Sequence, residues 1–165
     1  MKPFGQTSGA VVIGALILIA GVEAAAAGSA KDEITEKEKK MVAATTADEL
    51  MKCYDDQDVT VYDIGPPLQF KGVKAVHEDF DQFFKSVTNL KAELVELDVV
   101  AEGNMAMARS IQHFTWKDKD GKAVAMTIRV TDVFHKVKGD WKAIHSHISI
   151  PVDLKTNQGQ VNLKP

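Results

Sequence analysis

Two aspartates stand where an aspartate is costly or pointed. Along Val124, Met126, Ile128, Val130, Asp132 and Phe134 the alternate residues are apolar except for one carboxylate. A carboxyl set into an apolar face must be protonated or paired, because burying an isolated charge is unfavourable by many kcal/mol. Apolar neighbours also raise a carboxyl pKa, and that is how a carboxyl becomes a hydrogen-bond or proton donor at neutral pH. Asp63 ends the alternating run Val59-Thr60-Val61-Tyr62-Asp63, directly ahead of Gly65-Pro66-Pro67. It either terminates a strand and accepts turn hydrogen bonds, or it faces a pocket as a base. The third candidate group is Arg129 with His145 and His147. A His-x-His pair on a strand puts both imidazoles on one side, and with Arg129 it suits an anion site, a metal site or a polar subunit interface. Two histidines without a third ligand are a poor zinc or iron site, so the interface reading is preferred and no metal is expected.

These residues need a sheet to position them. From Lys91 onward the apolar period is two, and turn signals at Glu102-Gly103-Asn104, Asp118-Lys119-Asp120-Gly121 and Lys138-Gly139-Asp140 divide the sequence into four strands of about 91–101, 105–117, 122–136 and 141–151. Short turns between consecutive strands imply an antiparallel meander. Val137-Lys138-Gly139 reads as a three-residue hairpin loop with Lys136 opposite Asp140. In that register Asp132 lies opposite Ile144, Val130 opposite Ser146 and Ile128 opposite Ile148. A slip by one residue would bring His145 against Asp132 instead. In the three-residue hairpin register the apolar face is Ile128, Val130, Asp132, Ile144, Ser146 and Ile148, joined by Ser110, Gln112, Phe114 and Trp116 from the preceding strand. Arg129, Thr131, His145, His147 and Ser149 fall on the other side.

Ahead of the strands the sequence is helical. The mixed-sign stretch Lys31–Lys40 begins a solvated surface helix that runs to about Ala44. Thr46-Ala47-Asp48-Glu49 has capping-box spacing ahead of a second, short helix. A third follows Gly72, with Val73, Val76, His77, Phe80, Phe84 and Val87 at helical spacing. Helices first and long strands afterwards predict an α+β fold in which helices cover one face of a curved antiparallel sheet.

Several classes are excluded by composition. The 165 residues carry 20 Lys+Arg against 23 Asp+Glu and a net charge of −3, without the basic patch of a nucleic-acid binder. One cysteine, Cys53, rules out an internal disulfide and is expected to be buried. Lys2, the apolar run Val11–Val22 and the small residues Ala24–Ala30 read as a secretory signal peptide over 1–30, cleaved after Ala26, Ala27 or Ala30. The alternative, an uncleaved anchor, is disfavoured because the run falls short of the ~20 apolar residues that span a bilayer. A folded domain over 31–152 and a C-terminal tail over 153–165 complete the organisation. The product is expected in the periplasm or outside the cell, with no membrane contact once the signal is removed.

Tyr54, the Val61-Tyr62-Asp63 strand end, the Gly-Pro-Pro loop, Gly72 ahead of an aromatic helix, Arg129-Val130-Thr131-Asp132-Val133-Phe134, Gly139-Asp140-Trp141 and His145-Ser146-His147-Ile148-Ser149 together resemble the NTF2-like superfamily, which includes SnoaL-like cyclases, ketosteroid isomerases and a kinase association domain. The resemblance spans about 32–151. It implies a cone with an internal cavity, formed as the curved sheet wraps around the N-terminal helices, and it implies a homodimer through the outer sheet face. It also implies that Asp63 matches the proton-moving carboxylate of the isomerases, Asp132 their neutral hydrogen-bonding acid, and Tyr54 a supporting tyrosine. The principal oxyanion tyrosine on the first helix has no counterpart, since only Lys39 or Lys40 is nearby, and a second supporting tyrosine is replaced by Phe80. Steroid isomerase activity is therefore not expected. The resulting expectation is a cavity that takes an unknown small apolar or semi-polar molecule, lined by Tyr54, Phe80, Phe84 and the sheet residues above. Asp63 and Asp132 are its candidate catalytic pair, and no cofactor is expected. An association module with a cavity filled by Phe70, Phe83 or Phe84, Phe114 and Trp116 is the alternative.

Overall fold

The computed structural model describes residues 29–164. Of the segment read as a signal peptide, 1–28 lie outside the described residues, and Ser29 and Ala30 open the first helix. None of the described helices is long and apolar enough to cross a membrane.

Three helices precede the long strands. Helix α1, Ala30–Ala43, starts at Ser29, whose hydroxyl accepts from the Asp32 N–H while the Asp32 carboxylate accepts from the Ser29 N–H. This reciprocal box satisfies two of the free donors at the helix start. Helix α2, Ala47–Met51, is capped by Thr46, which accepts from the Glu49 N–H at 3.2 Å. The Glu49 carboxylate reaches back one residue further than the sequence spacing suggests, to the backbone and hydroxyl of Thr45. Helix α3, Val73–Ser86, starts at Gly72 with φ of +84°, a conformation that a side chain would strain. Its inward stripe, Val76 and Phe80 with Val73 and Phe84 partly buried, lies at the predicted spacing.

Six strands form one sheet in the order β2-β1-β6-β5-β4-β3. They are β1 Thr60–Tyr62, β2 Phe70–Lys71, β3 Thr88–Glu102, β4 Met105–Lys117, β5 Ala123–Val137 and β6 Asp140–Ser149. The four long strands form the antiparallel meander read from the sequence. The sheet as a whole is mixed, because β1 runs parallel to β6 with Thr60 beside His145 and Tyr62 beside His147. Bulges between Leu94 and Glu96 and between Val133 and Phe134 interrupt the ladders. Bulges of this kind bend a strand and deepen its twist, and so curve the sheet over the helices.

The β5–β6 register corrects the sequence expectation. Val137 pairs with Asp140 across a two-residue turn, Lys138 (φ +51°) and Gly139 (φ +88°), in place of the three-residue loop. Both positive angles are those of a type I′ hairpin, whose twist matches that of the strands. The bulge then takes in one extra residue of β6, so Asp132 lies opposite Ser146 and Val130 opposite Ile148. Turn and bulge each displace the pairing by one residue, and together they preserve which face each β5 side chain occupies. Ile144 is the residue left unpaired at the bulge.

The core joins Ile34, Tyr54, Val59, Val61, Val76, Phe80, Phe134, Trp141 and Ala143 between helices and sheet. Trp141 also donates its indole N–H to Glu33 at 2.6 Å, and Lys136 donates to the same carboxylate at 2.8 Å, tying α1 to the sheet. Cys53 is buried. The segment read as a tail is partly ordered into a hairpin of β7 Val152–Asp153 and β8 Gln158–Gly159. Asp153 organises its turn by accepting from the Lys155 and Asn157 N–H groups. Beyond the hairpin, the Val161 carbonyl accepts from Thr127 of β5 at 2.7 Å, past the end of β6.

Candidate functional site

Between the helices and the concave side of the sheet lies a cavity of about 340 Å³. Met41, Val42 and Ala44 border it from α1 and its end, and Leu50 from α2. Phe80, Phe83 and Phe84 come from α3, Leu90 from β3, and Ile64 from the loop after β1. The sheet contributes Gln112, Phe114 and Trp116 from β4, Met126, Ile128, Val130 and Asp132 from β5, and Ile148 from β6. Polar groups are few: Tyr54, Asp63, Gln112, Asp132 and the Trp116 indole. An aromatic and aliphatic lining with a handful of polar groups is the usual make-up of a small-molecule site.

Most residues singled out in the sequence meet here. Tyr54, Asp63, Phe80, Phe84, Gln112, Phe114, Trp116, Ile128, Val130, Asp132 and Ile148 all border the cavity. Ser110 and Ser146 are buried one step behind the surface. Ser110 accepts from the Gln112 amide at 2.9 Å, and Ser146 bridges Tyr54 and Asp132. Ile144 does not border the cavity, because the bulge turns the next inward position over to Ser146. Arg129, Thr131, His145, His147 and Ser149 share the opposite side of the sheet, where the Tyr62 ring meets His145 and His147 edge-on at 4.7 and 5.8 Å. Among the described residues no three metal-ligating side chains converge.

The inner end of the cavity is built on Asp132, which is 1% exposed. Ser146 donates to its Oδ1, and the Tyr54 hydroxyl lies 2.7 Å from Ser146 Oγ. Tyr54 is held by its own backbone, since residues 53–55 run beside β6 and bond to both sides of Ala143. Its ring packs on Phe80 at 5.6 Å.

A fourth member of this group escapes the sequence reading. Glu38 of α1 is fully buried, and its carboxyl meets that of Asp132. No other donor reaches either Glu38 oxygen among the described residues. Two carboxyls in contact cannot both be ionised, so the pair holds a proton between them. Burial, followed by the Asp132 charge, drives the Glu38 pKa well above the ordinary carboxylate range. Burial also raises Asp132, while bonds from Ser146 and Glu38 pull it back. Tyr54 is likewise pushed up, first by burial and then by the Asp132 charge. The expectation of a wholly solvated helix over Lys31–Lys40 is thus corrected, because Ile34, Glu38, Met41 and Val42 follow the spacing of an inward stripe. Lys39 and Lys40 are exposed. The signal available in the sequence is the one that marks Asp132: a carboxylate on an otherwise apolar stripe.

A second carboxyl pair sits with Asp63. Its Oδ1 accepts from the Ile64 N–H at 2.6 Å, as a strand-ending aspartate would, and the same side chain borders the cavity. Asp79 of α3, one residue before Phe80, hydrogen-bonds with it. Partial burial, then the neighbouring Asp63 charge, lifts Asp79 to about 6. One Asp79 oxygen is buried with no other partner among the described residues. No spacing in the sequence pairs these two, since they are joined only by the docking of α3 against the strand end.

Comparison with known proteins places this architecture. Residues 35–153 match the SnoaL-like domain. No curated protein matches the chain. Among solved structures, an NTF2-like protein of unknown function from Pseudomonas putida KT2440 is 26% identical over 84% of this chain and 99% of its own, with a TM-score of 0.74. A nuclear transport factor 2-like superfamily protein from Salmonella enterica serovar Typhimurium is 22% identical over 79% and 96%, with a TM-score of 0.68. A ketosteroid isomerase-like protein from Erwinia carotovora atroseptica is 19% identical over 72% and 93%, with a TM-score of 0.62. The common element is the six-stranded curved sheet with its N-terminal helices, which is the NTF2-like fold. With the domain match running from α1 to β7, the chain belongs to the SnoaL-like domain family.

Proposed function

We propose that this protein binds a small, mostly apolar molecule in its cavity and exchanges a proton with it, in the manner of an isomerase or cyclase. The observation that carries this reading is an open volume of about 340 Å³ bordered by two carboxyls, Asp63 and Asp132, in an otherwise apolar lining. That volume lies at the lower end of the ~300–1,000 Å³ of small-molecule sites and suits a ligand of one or two rings. Each carboxyl is paired with a second one, so each pair can take up a proton and return it. The same fold hosts binding and assembly domains, and an association module would be expected to fill its interior. Here Phe83, Phe84, Phe114 and Trp116 border the space and leave it open, which favours the ligand reading.

The test is a screen of small cyclic ketones, enols and aromatics for binding and turnover, with Asp63→Asn and Asp132→Asn as variants. Loss of turnover in both, with ligand contacts mapping to Phe84 and Phe114, is expected. Unchanged binding and turnover in both variants would refute the assignment. The proposal extends to export through residues 1–30 and to homodimer formation through the Arg129, His145 and His147 face, read by N-terminal sequencing of the secreted chain and by light scattering.

A further inference from the structure

We propose that the inner end of the cavity is a hydrogen-bond acceptor, selecting neutral ligands that lead with an O–H or N–H group. This rests on the cavity being a ligand site, as proposed above, and adds which end of a ligand enters first. Tyr54, Ser146, Glu38 and Asp132 form one buried chain, and at neutral pH they hold three protons: one each on the tyrosine and the serine, and one shared by the carboxyls. The shared proton can sit on either carboxyl, but the two choices are unequal. Ionised Glu38 would be a fully buried charge with a single donor, Asp132 itself, and no other partner among the described residues. Ionised Asp132 accepts from both Ser146 and Glu38. A buried charge is tolerable in proportion to the hydrogen bonds it receives, so the charge rests on Asp132 and the proton on Glu38. The raised pKa of Glu38 agrees with this placement.

The remaining directions follow. Ser146 has one proton and gives it to Asp132, so the Tyr54 hydroxyl must donate to Ser146. All three protons therefore point along the chain toward one carboxylate, and none points into the cavity. A carboxylate offers about four lone-pair sites. Two are taken, which leaves others free, and Asp132 is one of the residues that border the cavity. A carbonyl, ether or carboxylate brought to this end would meet an unshielded negative acceptor; an O–H or N–H group would be held. Asp132 is thus the reverse of the neutral donor that the family resemblance implied, and Glu38 is the positioning residue that makes it so.

Three ligands of one shape test this on the full chain: indole carries an N–H donor, benzofuran an ether acceptor, and indene neither. Binding measured by calorimetry or ligand-observed NMR should favour indole over both others by roughly tenfold or more, as for one hydrogen bond to a charged acceptor. Glu38→Gln should retain the preference, because the amide still donates to Asp132. Asp132→Asn should erase it, bringing indole binding down to the level of indene. If all three bind the wild type equally, or benzofuran binds best, the acceptor assignment is overturned and the cavity reading stands. If none binds in the cavity at millimolar concentration, both are overturned. The wild-type comparison alone decides the matter where a variant fails to fold.

Discussion

Replacing Glu38 by glutamine turns the buried proton into a measurable slope. In the native protein the Glu38–Asp132 pair keeps one proton. In the unfolded chain both carboxyls ionise near their ordinary values, about 4. Above that range the native state therefore binds about one proton more than the unfolded state, and stability falls as pH rises by about 1.4 kcal/mol per unit. The sign follows from the raised native pKa: the stabilisation is fully present below the unfolded pKa and is lost as pH climbs toward the native one. A glutamine at this position cannot ionise in either state, and its amide still donates to Asp132. The stability difference between variant and wild type should thus move by about 2.7 kcal/mol in favour of the variant between about pH 5.5 and about pH 7.5. Urea unfolding at fixed ionic strength measures this, with equal m-values as the check on two-state behaviour. Taking the difference between the two proteins cancels groups that titrate in both, such as Asp132, raised by burial to about 6 and so titrating within this window. Asp79, raised by burial and Asp63, and Asp55, lowered by the Asp58 and Gln57 N–H groups, cancel likewise. Parallel stability curves for the two proteins would show that no excess proton is held, and the proton count at the cavity's inner end would be wrong.

Three further outcomes are expected. Phe134→Ala, at a fully buried ring in the centre of the core, should cost about 3–5 kcal/mol, seen as a lower urea midpoint with m unchanged. In Asp63→Asn the Asp79 carboxyl should titrate below its native value of about 6, followed by side-chain carboxyl NMR; an unmoved titration would mean burial alone sets it. Under the proposed export the processed chain should keep Ser29, because that residue caps α1, so its intact mass should correspond to cleavage after Ala26 or Ala27 and not after Ala30; Ser29→Ala should lower stability by about 1 kcal/mol.

The parts of this structure that obey a local period can be read from the chain. The four long strands and the helices fall close to where periodicity puts them, and the inward face of β5 is as expected although its pairing with β6 is not. That face survives because turn and bulge each depart from the expected pairing by one residue and the two departures compensate. Ile144 is lost from the cavity for the same reason: a bulge is a choice made by two strands together, and neither sequence alone announces it. Asp132 is conspicuous because one carboxylate breaks a strict alternation. Glu38 is not, because it lies among Glu33, Glu36, Lys37, Lys39 and Lys40, where local charge density suggests solvent and only the spacing from Ile34 to Met41 indicates burial. Asp79 is hidden likewise among the charges of α3, and its partnership with Asp63 exists only once the helix docks. The site is thus half legible: its apolar walls follow from periodicity, while its paired carboxyls depend on tertiary contact.

A crystal structure of the full chain with indole bound addresses the central claim most directly. The ring should lie within the cavity beside Phe84 and Phe114, with its N–H at hydrogen-bond distance from the Asp132 carboxylate. Indole outside the cavity, or inside it with the N–H turned away from Asp132, would contradict the account.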